Sequence, residues 1–267
     1  MNIQTLKLAC FSPTGTSLSI LEAIKQGMHI EKTEIINATR SDQRKQSLQA
    51  ASNDLLVIAM PVYSGRLPVI AEQWLQQMSL DNTPTVCVVV YGNREYDDAL
   101  LELKNIVQQR GGVPVAGATF IGEHSFSTDS TPIAVSRPDT TDLEQARTFG
   151  EKIQSIIDSF DSAPVDKKLN VPGNLPYKAI GKGAALDFIN ISTACTLCGQ
   201  CASVCPVDAI RISDSVTMDL ENCIHCCACI KACPVHARTM KEGALMDAAK
   251  RLSTMCNEPK KPTFFFA

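Results

Sequence analysis

The stretch DLLVIAMPV, residues 54–62, is a nearly uninterrupted apolar run of strand length. A strand with one wet face alternates apolar and polar residues, whereas a continuous run belongs to a strand covered on both faces, as in the middle of a parallel sheet. Its neighbours fit that reading. IQTLKLACF (3–11) has similar apolar density, and SLSILEAIKQGM (17–28) follows with Leu18, Leu21, Ile24 and Met28 at helical spacing. TEIINA (33–38) supplies a short strand, and PVIAEQWLQQM (68–78) a helix with Pro68 at its first turn. TVCVVVYG (85–92) is another buried strand, YDDALLELKNIVQQRGG (96–112) a helix stopped by Gly111 and Gly112, and VAGATFIG (115–122) a fifth strand. DLEQARTFGEKIQSIIDSF (142–160) reads as a closing helix capped near Thr141. Five strands alternating with helices imply a doubly wound α/β fold, whose ligands lie beyond the carboxyl ends of its strands.

Composition narrows the class. The 267 residues are 45% hydrophobic and 20% charged, as in a soluble globular protein. A net charge of −3 gives no basic footprint for nucleic acid. Nothing approaches a membrane span, and MNIQTLKLACF reads as a first strand rather than a secretory signal, so a cytoplasmic location is expected. From 161 to 189 the pattern lapses into Pro, Gly and Lys, including the solvated pair Lys167–Lys168, and reads as a linker. Its GKG lacks the spaced glycine and the following Ser or Thr of a phosphate loop.

The twelve cysteines are uneven. Cys10 and Cys87 stand far apart, nine fall between Cys195 and Cys233, and Cys256 follows alone. A disulfide scaffold would spread its cysteines through a short secreted chain, so a metal or cluster site in a reducing compartment is the better reading. CTLCGQCASVCPVDAI (195–210) and CIHCCACIKACPVHAR (223–238) overlay as two copies of C-x2-C-x2-C-x3-C-P-V-x-A. Structural zinc, the alternative, usually takes two pairs of ligands separated by a finger-length loop. Three thiols in one tight turn with a displaced fourth before proline is the spacing of bacterial two-cluster ferredoxins, in which that fourth cysteine ligates the other cluster.

Residues 190–242 thus resemble a small α+β ferredoxin with two 4Fe–4S clusters. That resemblance implies cluster I on Cys195, Cys198, Cys201 and Cys233, and cluster II on Cys223, Cys226, Cys229 and Cys205. Cys227 stands where the first copy has Gly199 and reads as an inert packed thiol; His225 and His236 read as tuning residues, not ligands.

FSPTGTS (11–17) lies between the first strand and first helix, where N–H groups and hydroxyls at a helix start favour an anion. An ordinary Ser/Thr helix cap is the plain alternative. At that place the loop resembles the phosphate loop of flavodoxins, with Ser12, Pro13, Thr14, Gly15, Thr16 and Ser17 in the matching positions. The resemblance extends to the loops expected to flank an FMN ring: Pro61, Val62, Tyr63, Ser64 and Gly65 after the third strand, and Tyr91, Gly92, Asn93, Arg94, Tyr96 and Asp97 after the fourth. It departs from classical flavodoxins in lacking a tryptophan after the third strand; Trp74 falls in the next helix and reads as core.

Over residues 3–240 the chain is similar to the EFR-type flavodoxin–ferredoxin fusion family, through YGNREYDDALLEL (91–103), FIGEHSFS (120–127) and SRPDTTDLEQARTFG (136–150). This implies a flavodoxin-like five-stranded parallel sheet with FMN over 1–160, a linker over 161–189, a two-cluster ferredoxin over 190–242, and a C-terminal helix and tail over 243–267. The expected function is electron transfer between two 4Fe–4S clusters and FMN, with a redox partner protein at each end of the route. The alternatives are an FMN-dependent reductase of a small molecule fed by the clusters, and a redox sensor with an empty flavin site. His124 reads as a surface-loop histidine, the alternative being an approach to the flavin edge or to the join between domains, and the apolar PTFFFA (262–267) as a segment docked on the first domain or on a partner, or as a simple packed tail.

Overall fold

The computed structural model describes residues 3–159, 168–181 and 185–267. Parts of the linker reading, Lys167 and most of the GKG lie outside the described residues. Five parallel strands form the main sheet: β1 (Thr5–Cys10), β2 (Lys32–Asn37), β3 (Asp54–Pro61), β4 (Thr83–Tyr91) and β5 (Gly112–Ile121). Their order is β2-β1-β3-β4-β5, the flavodoxin-like 2-1-3-4-5 arrangement with its switch point between β1 and β3. The helices between them are α1 (Thr16–Gln26), α2 (Val69–Leu75), α3 (Ala99–Gln109) and α4 (Thr140–Asp158).

The strand alternation builds two cores from one sheet. Leu55, Val57 and Ala59 of β3 join Val86, Val88 and Val90 of β4 beneath α1 and α4. The intervening Leu56, Ile58 and Met60 join Cys87 and Val89 beneath α2 and α3, with Trp74 buried among them. Every residue of β3 and β4 is buried, which is why both sequences lack polar alternation.

α4 is capped by Asp139, two residues before the Thr141 cap expected from sequence. The carboxylate of Asp139 accepts the Asp142 N–H at 2.9 Å, while the Asp142 carboxylate accepts the Asp139 N–H at 2.9 Å. This reciprocal box satisfies two helix-start donors, a stronger anchor than a single threonine hydroxyl.

The sheet also has a sixth strand, which the sequence reading did not include. β10 (Thr263–Phe266), the PTFFFA segment, pairs antiparallel with β5, Thr263 opposite Thr119 and Phe266 opposite Ala116. It covers donors and acceptors that an edge strand would leave open. Phe264 stacks on Phe149 of α4 with centroids 5.1 Å apart, and Phe265 faces the opposite core.

Between β5 and β10 lies the second unit. It holds two antiparallel strand pairs: β6 (Ile189–Ile191) with β9 (Arg238–Met240), and β7 (Ile210–Ile212) with β8 (Val216–Met218). Short helices α5 (Gln200–Ser203) and α6 (Ala228–Lys231) follow the cysteine turns, and α7 (Ala244–Met255) leads to the last strand. No helix among the described residues is long and apolar enough to cross a membrane.

α1 and α4 touch backbone to backbone. A Cβ on Gly150 would lie 2.0 Å from the Ile24 carbonyl oxygen, and one on Gly27 2.0 Å from that of Arg147. Replacing glycine by alanine inside a helix normally stabilises it by ~1 kcal/mol. Here the clash outweighs that gain, and Gly150→Ala is expected to lower the unfolding free energy by about 1–3 kcal/mol, read as a lower denaturant midpoint at unchanged slope.

Candidate functional site

At the carboxyl end of the sheet, beside the β1–β3 switch point, opens a cavity of about 500 Å³. Ser12, Pro13, Thr14, Thr16 and Ser17 form its first wall. Gly15, with φ of 87°, turns the loop into α1 and takes the N-cap position without a side-chain cap. The Ser12 hydroxyl, three residues before the N-cap, accepts the Leu18 N–H at 3.0 Å and so satisfies one first-turn donor. Thr16 and Ser17 N–H groups find no acceptor among the described residues. The Ser17 hydroxyl is buried and also without a partner. A buried, unpartnered hydroxyl is costly, and two free N–H groups on a helix start beside it make a ready anion cradle.

Pro61, Val62, Tyr63 and Ser64, following β3, form a second wall, and Tyr91, Gly92 and Arg94, following β4, a third. Burial, then the neighbouring Cys226 and Cys227 thiols, push the Tyr63 hydroxyl well above its ordinary range, so this tyrosine faces the second cysteine turn. Gly65, Asn93, Tyr96 and Asp97 do not line the cavity, nor does Gly15. Asn93 is taken by the C-terminal segment: its amide donates to the Cys256 and Glu258 carbonyls at 2.8 and 2.9 Å and accepts the Lys260 N–H. Asp97 pairs with Arg94 and Lys178, and the ring of Tyr96 packs edge-on to Tyr91 at 5.4 Å. Trp74 is likewise remote, buried with its indole N–H on the Gln46 carbonyl.

The roof comes from sequence that carries no flavin motif. Lys178–Gly181 cross the cavity, held because Asp98 accepts the N–H groups of Asn174 and Lys178 at 2.8 and 2.6 Å. Arg66 clasps buried Glu102 with two hydrogen bonds and donates a third to the Lys178 carbonyl. Glu123, His124, Ser125 and Phe126 close one side, and Ile224 and His225 reach in from the second cysteine turn. His225 Nε2 is buried without a partner. His124, read as a surface histidine from sequence, is part of this wall, and its Nδ1 accepts the Phe126 N–H at 3.0 Å.

The cysteine unit is docked on this edge. Arg44 donates to the Pro206 carbonyl at 2.6 Å, Arg40 to those of Ala202 and Ser203, and Lys231 pairs with Glu123. Its eight motif cysteines separate into two sets. Cys195, Cys198, Cys201 and Cys233 line one small cavity; Cys205, Cys223, Cys226 and Cys229 line another. In each set the fourth thiol comes from the other repeat. The repeats match in backbone as well: Leu197, Gly199 and Asp208 have positive φ, and so do His225, Cys227 and His236 in the equivalent places. Cys227 therefore adopts the left-handed conformation that glycine holds in the first copy, and is a buried fifth cysteine in the lining of the second cavity. The Ala209 N–H donates to Cys205 Sγ at 3.3 Å and the Ala237 N–H to Cys233 Sγ at 3.2 Å. Among the described residues no three His, Cys, Asp or Glu side chains converge as they would on a single metal ion.

Residues 194–243 match the 4Fe-4S dicluster domain family. No curated protein matches the chain. Among solved structures, a Fusobacterium nucleatum flavodoxin bound to flavin mononucleotide is 17% identical, the match covering 59% of this chain and 99% of that one at a TM-score of 0.41. A WrbA-like flavodoxin from Agrobacterium tumefaciens is 15% identical over 58% and 98% at 0.41. Flavodoxin 2 from Bacillus cereus is 16% identical over 58% and 99% at 0.40. The strand order and the family match together give a flavodoxin-like fold followed by a separate 4Fe–4S dicluster-type domain, a combination consistent with electron transfer.

Burial, with Lys231 and Arg94 nearby, lowers the His124 pKa from 6.5 to about 4. The folded state thus keeps this ring neutral where the unfolded chain protonates it. Its contribution to stability is complete above pH 6.5 and declines as the pH falls towards about 4. His124→Gln is expected to remove that part of the acid sensitivity, about 2 kcal/mol between pH 7 and pH 5, in paired unfolding curves of variant and parent.

Proposed function

We propose that this chain is an electron-transfer iron–sulfur flavoprotein of the flavodoxin–ferredoxin fusion type, exchanging electrons between two 4Fe–4S clusters and FMN. The observation that carries this reading is one shared wall. Ile224 lines both the second cysteine cavity and the cavity at the sheet edge, and its neighbour His225 lines the latter. A flavin held there would lie next to cluster II, and cluster I would lie beyond it.

The residues suit both groups. Thr14, Thr16 and Ser17, with the free first-turn N–H groups, would take the FMN phosphate. Tyr63 and Tyr91 would border the ring, and His225 Nε2 would supply a donor or acceptor to it. The cavity volume falls within the usual range for such ligands. Burial pushes the Cys226 thiol up to about 12, so this sulfur becomes a thiolate only with a cation to bind. Four thiols lining a cavity, rather than converging on a point, suit a cubane better than zinc. When bound, FMN supplies one- or two-electron chemistry and each cluster one-electron chemistry. The protein would hold the flavin and cluster II on either side of Ile224.

Cluster I is the more open end. Cys198 is exposed, and Leu197 and Val235 beside it present 40% and 43% of their surface. This is where a partner protein would exchange electrons. In domain terms, residues 1–160 form the FMN unit, 161–189 the join, 190–242 the dicluster unit and 243–267 the returning helix and strand.

Anaerobically purified protein is expected to contain about eight irons and eight sulfides with one FMN per chain; zinc in place of iron, or iron without flavin, defeats the proposal. Thr14→Ala combined with Ser17→Ala is expected to weaken FMN binding at least tenfold, since each lost hydrogen bond to a charged group costs about 1.5–3 kcal/mol. Flavin fluorescence titration measures this, with iron content unchanged.

A further inference from the structure

Arg238 is 3% exposed and sits between the two four-cysteine cavities. Its Nη1 lies 3.8 Å from Cys201 Sγ, a thiol of the first set. Its Nη2 lies 3.8 Å from Cys229 Sγ, a thiol of the second, and 3.0 Å from Met218 Sδ. Its Nε is buried without a partner, and it enters no salt bridge among the described residues. In the overlay of the two repeats Arg238 replaces Ile210, an aliphatic residue at 6% exposure. One copy therefore carries a permanent cation where its twin carries an isoleucine.

A guanidinium stays charged at any working pH, and burying it without a counter-charge costs several kcal/mol. The groups its two N–H ends face are sulfurs, one from each set. Loaded cysteine sets are anionic, and each gains one negative charge for each electron accepted. A fixed cation at contact distance favours the reduced form of both.

We propose that Arg238 is a shared positioning charge that raises the reduction potentials of both clusters together, so that neither becomes a trap for the electron passing between them. This rests on the two-cluster reading above. Removing the charge acts on both couples because each end of the fork touches a different set. The expected shift is about tenfold in each cluster's reduction equilibrium, or 59 mV for a one-electron couple.

The test uses the full chain, purified anaerobically, with iron and sulfide measured before each anaerobic potentiometric titration followed by electron paramagnetic resonance. A wild-type protein without eight irons would defeat the underlying reading, separately from any result on Arg238. With full iron, Arg238→Met is expected to lower both potentials by the stated amount, and Arg238→Lys to restore most of it. Unchanged potentials in Arg238→Met overturn the proposal, and a shift in only one cluster overturns the sharing. If Arg238→Met does not load fully, Arg238→Gln and Arg238→Lys decide: Gln low with Lys near wild type supports the charge, and equal potentials overturn it. Failure of all three to hold iron, with the fold intact by circular dichroism, would make Arg238 an assembly residue and overturn the tuning role.

Discussion

A parallel sheet buried on both faces has little surface left for chemistry. β3 and β4 are buried along their whole length, and helices fill both sides. What remains is the rim where the strands end, and the large cavity opens there. The α1 start offers unpaired donors, the loops after β3 and β4 offer tyrosines, and the cysteine unit is pinned across the opening by Arg40, Arg44 and Lys231. Were that docking lost, the rim would keep its anion cradle but lose the wall formed by Ile224 and His225.

The crossing of the two repeats has a similar organising effect. Because Cys205 closes the second set and Cys233 the first, neither repeat completes a cavity alone. Near-symmetry of backbone, down to matching left-handed residues, makes the two cavities alike. The differences between them then matter: Cys227 for glycine, His225 for leucine and Arg238 for isoleucine. Each substitution falls on the side of the unit that faces the other cavity, the sheet rim or both.

Much of this was legible in the amino-acid order, for identifiable reasons. Apolar runs alternating with helical segments disclosed the five parallel strands, and cysteine spacing disclosed the dicluster-type domain, because both signals are local and periodic. The loop ahead of α1 was legible as well, and its Thr14, Thr16 and Ser17 line the cavity. What escaped depended on contacts distant in sequence. Asn93, Tyr96 and Asp97 looked like ring-flanking residues, yet the C-terminal segment, Tyr91 and Lys178 engage them. Lys178–Gly181 form part of the roof only because Asp98 and Arg66 grip the passing chain, and no motif marks that. His124 looked like a surface residue because its burial comes from neighbours across the rim. Arg238 was visible in the repeat overlay as a break after C-P-V-x-A, but its meaning needed the distances to both cavities.

β10 gives the molecule an unusual connectivity. The chain leaves the sheet after α4, builds the cysteine unit, and returns to add a strand beside β5. The cysteine unit is thus an insertion between two members of a single sheet, tethered at both ends instead of hanging from one. A cofactor carrier on a single leash can sample many orientations; one stitched in twice has its reach and its orientation restricted together. The same stitching orders biogenesis, because the sheet cannot close until the cysteine segment has been made. The last strand is therefore made after the cysteine segment, and a defect in the cysteine unit would be felt in a sheet whose own sequence is intact.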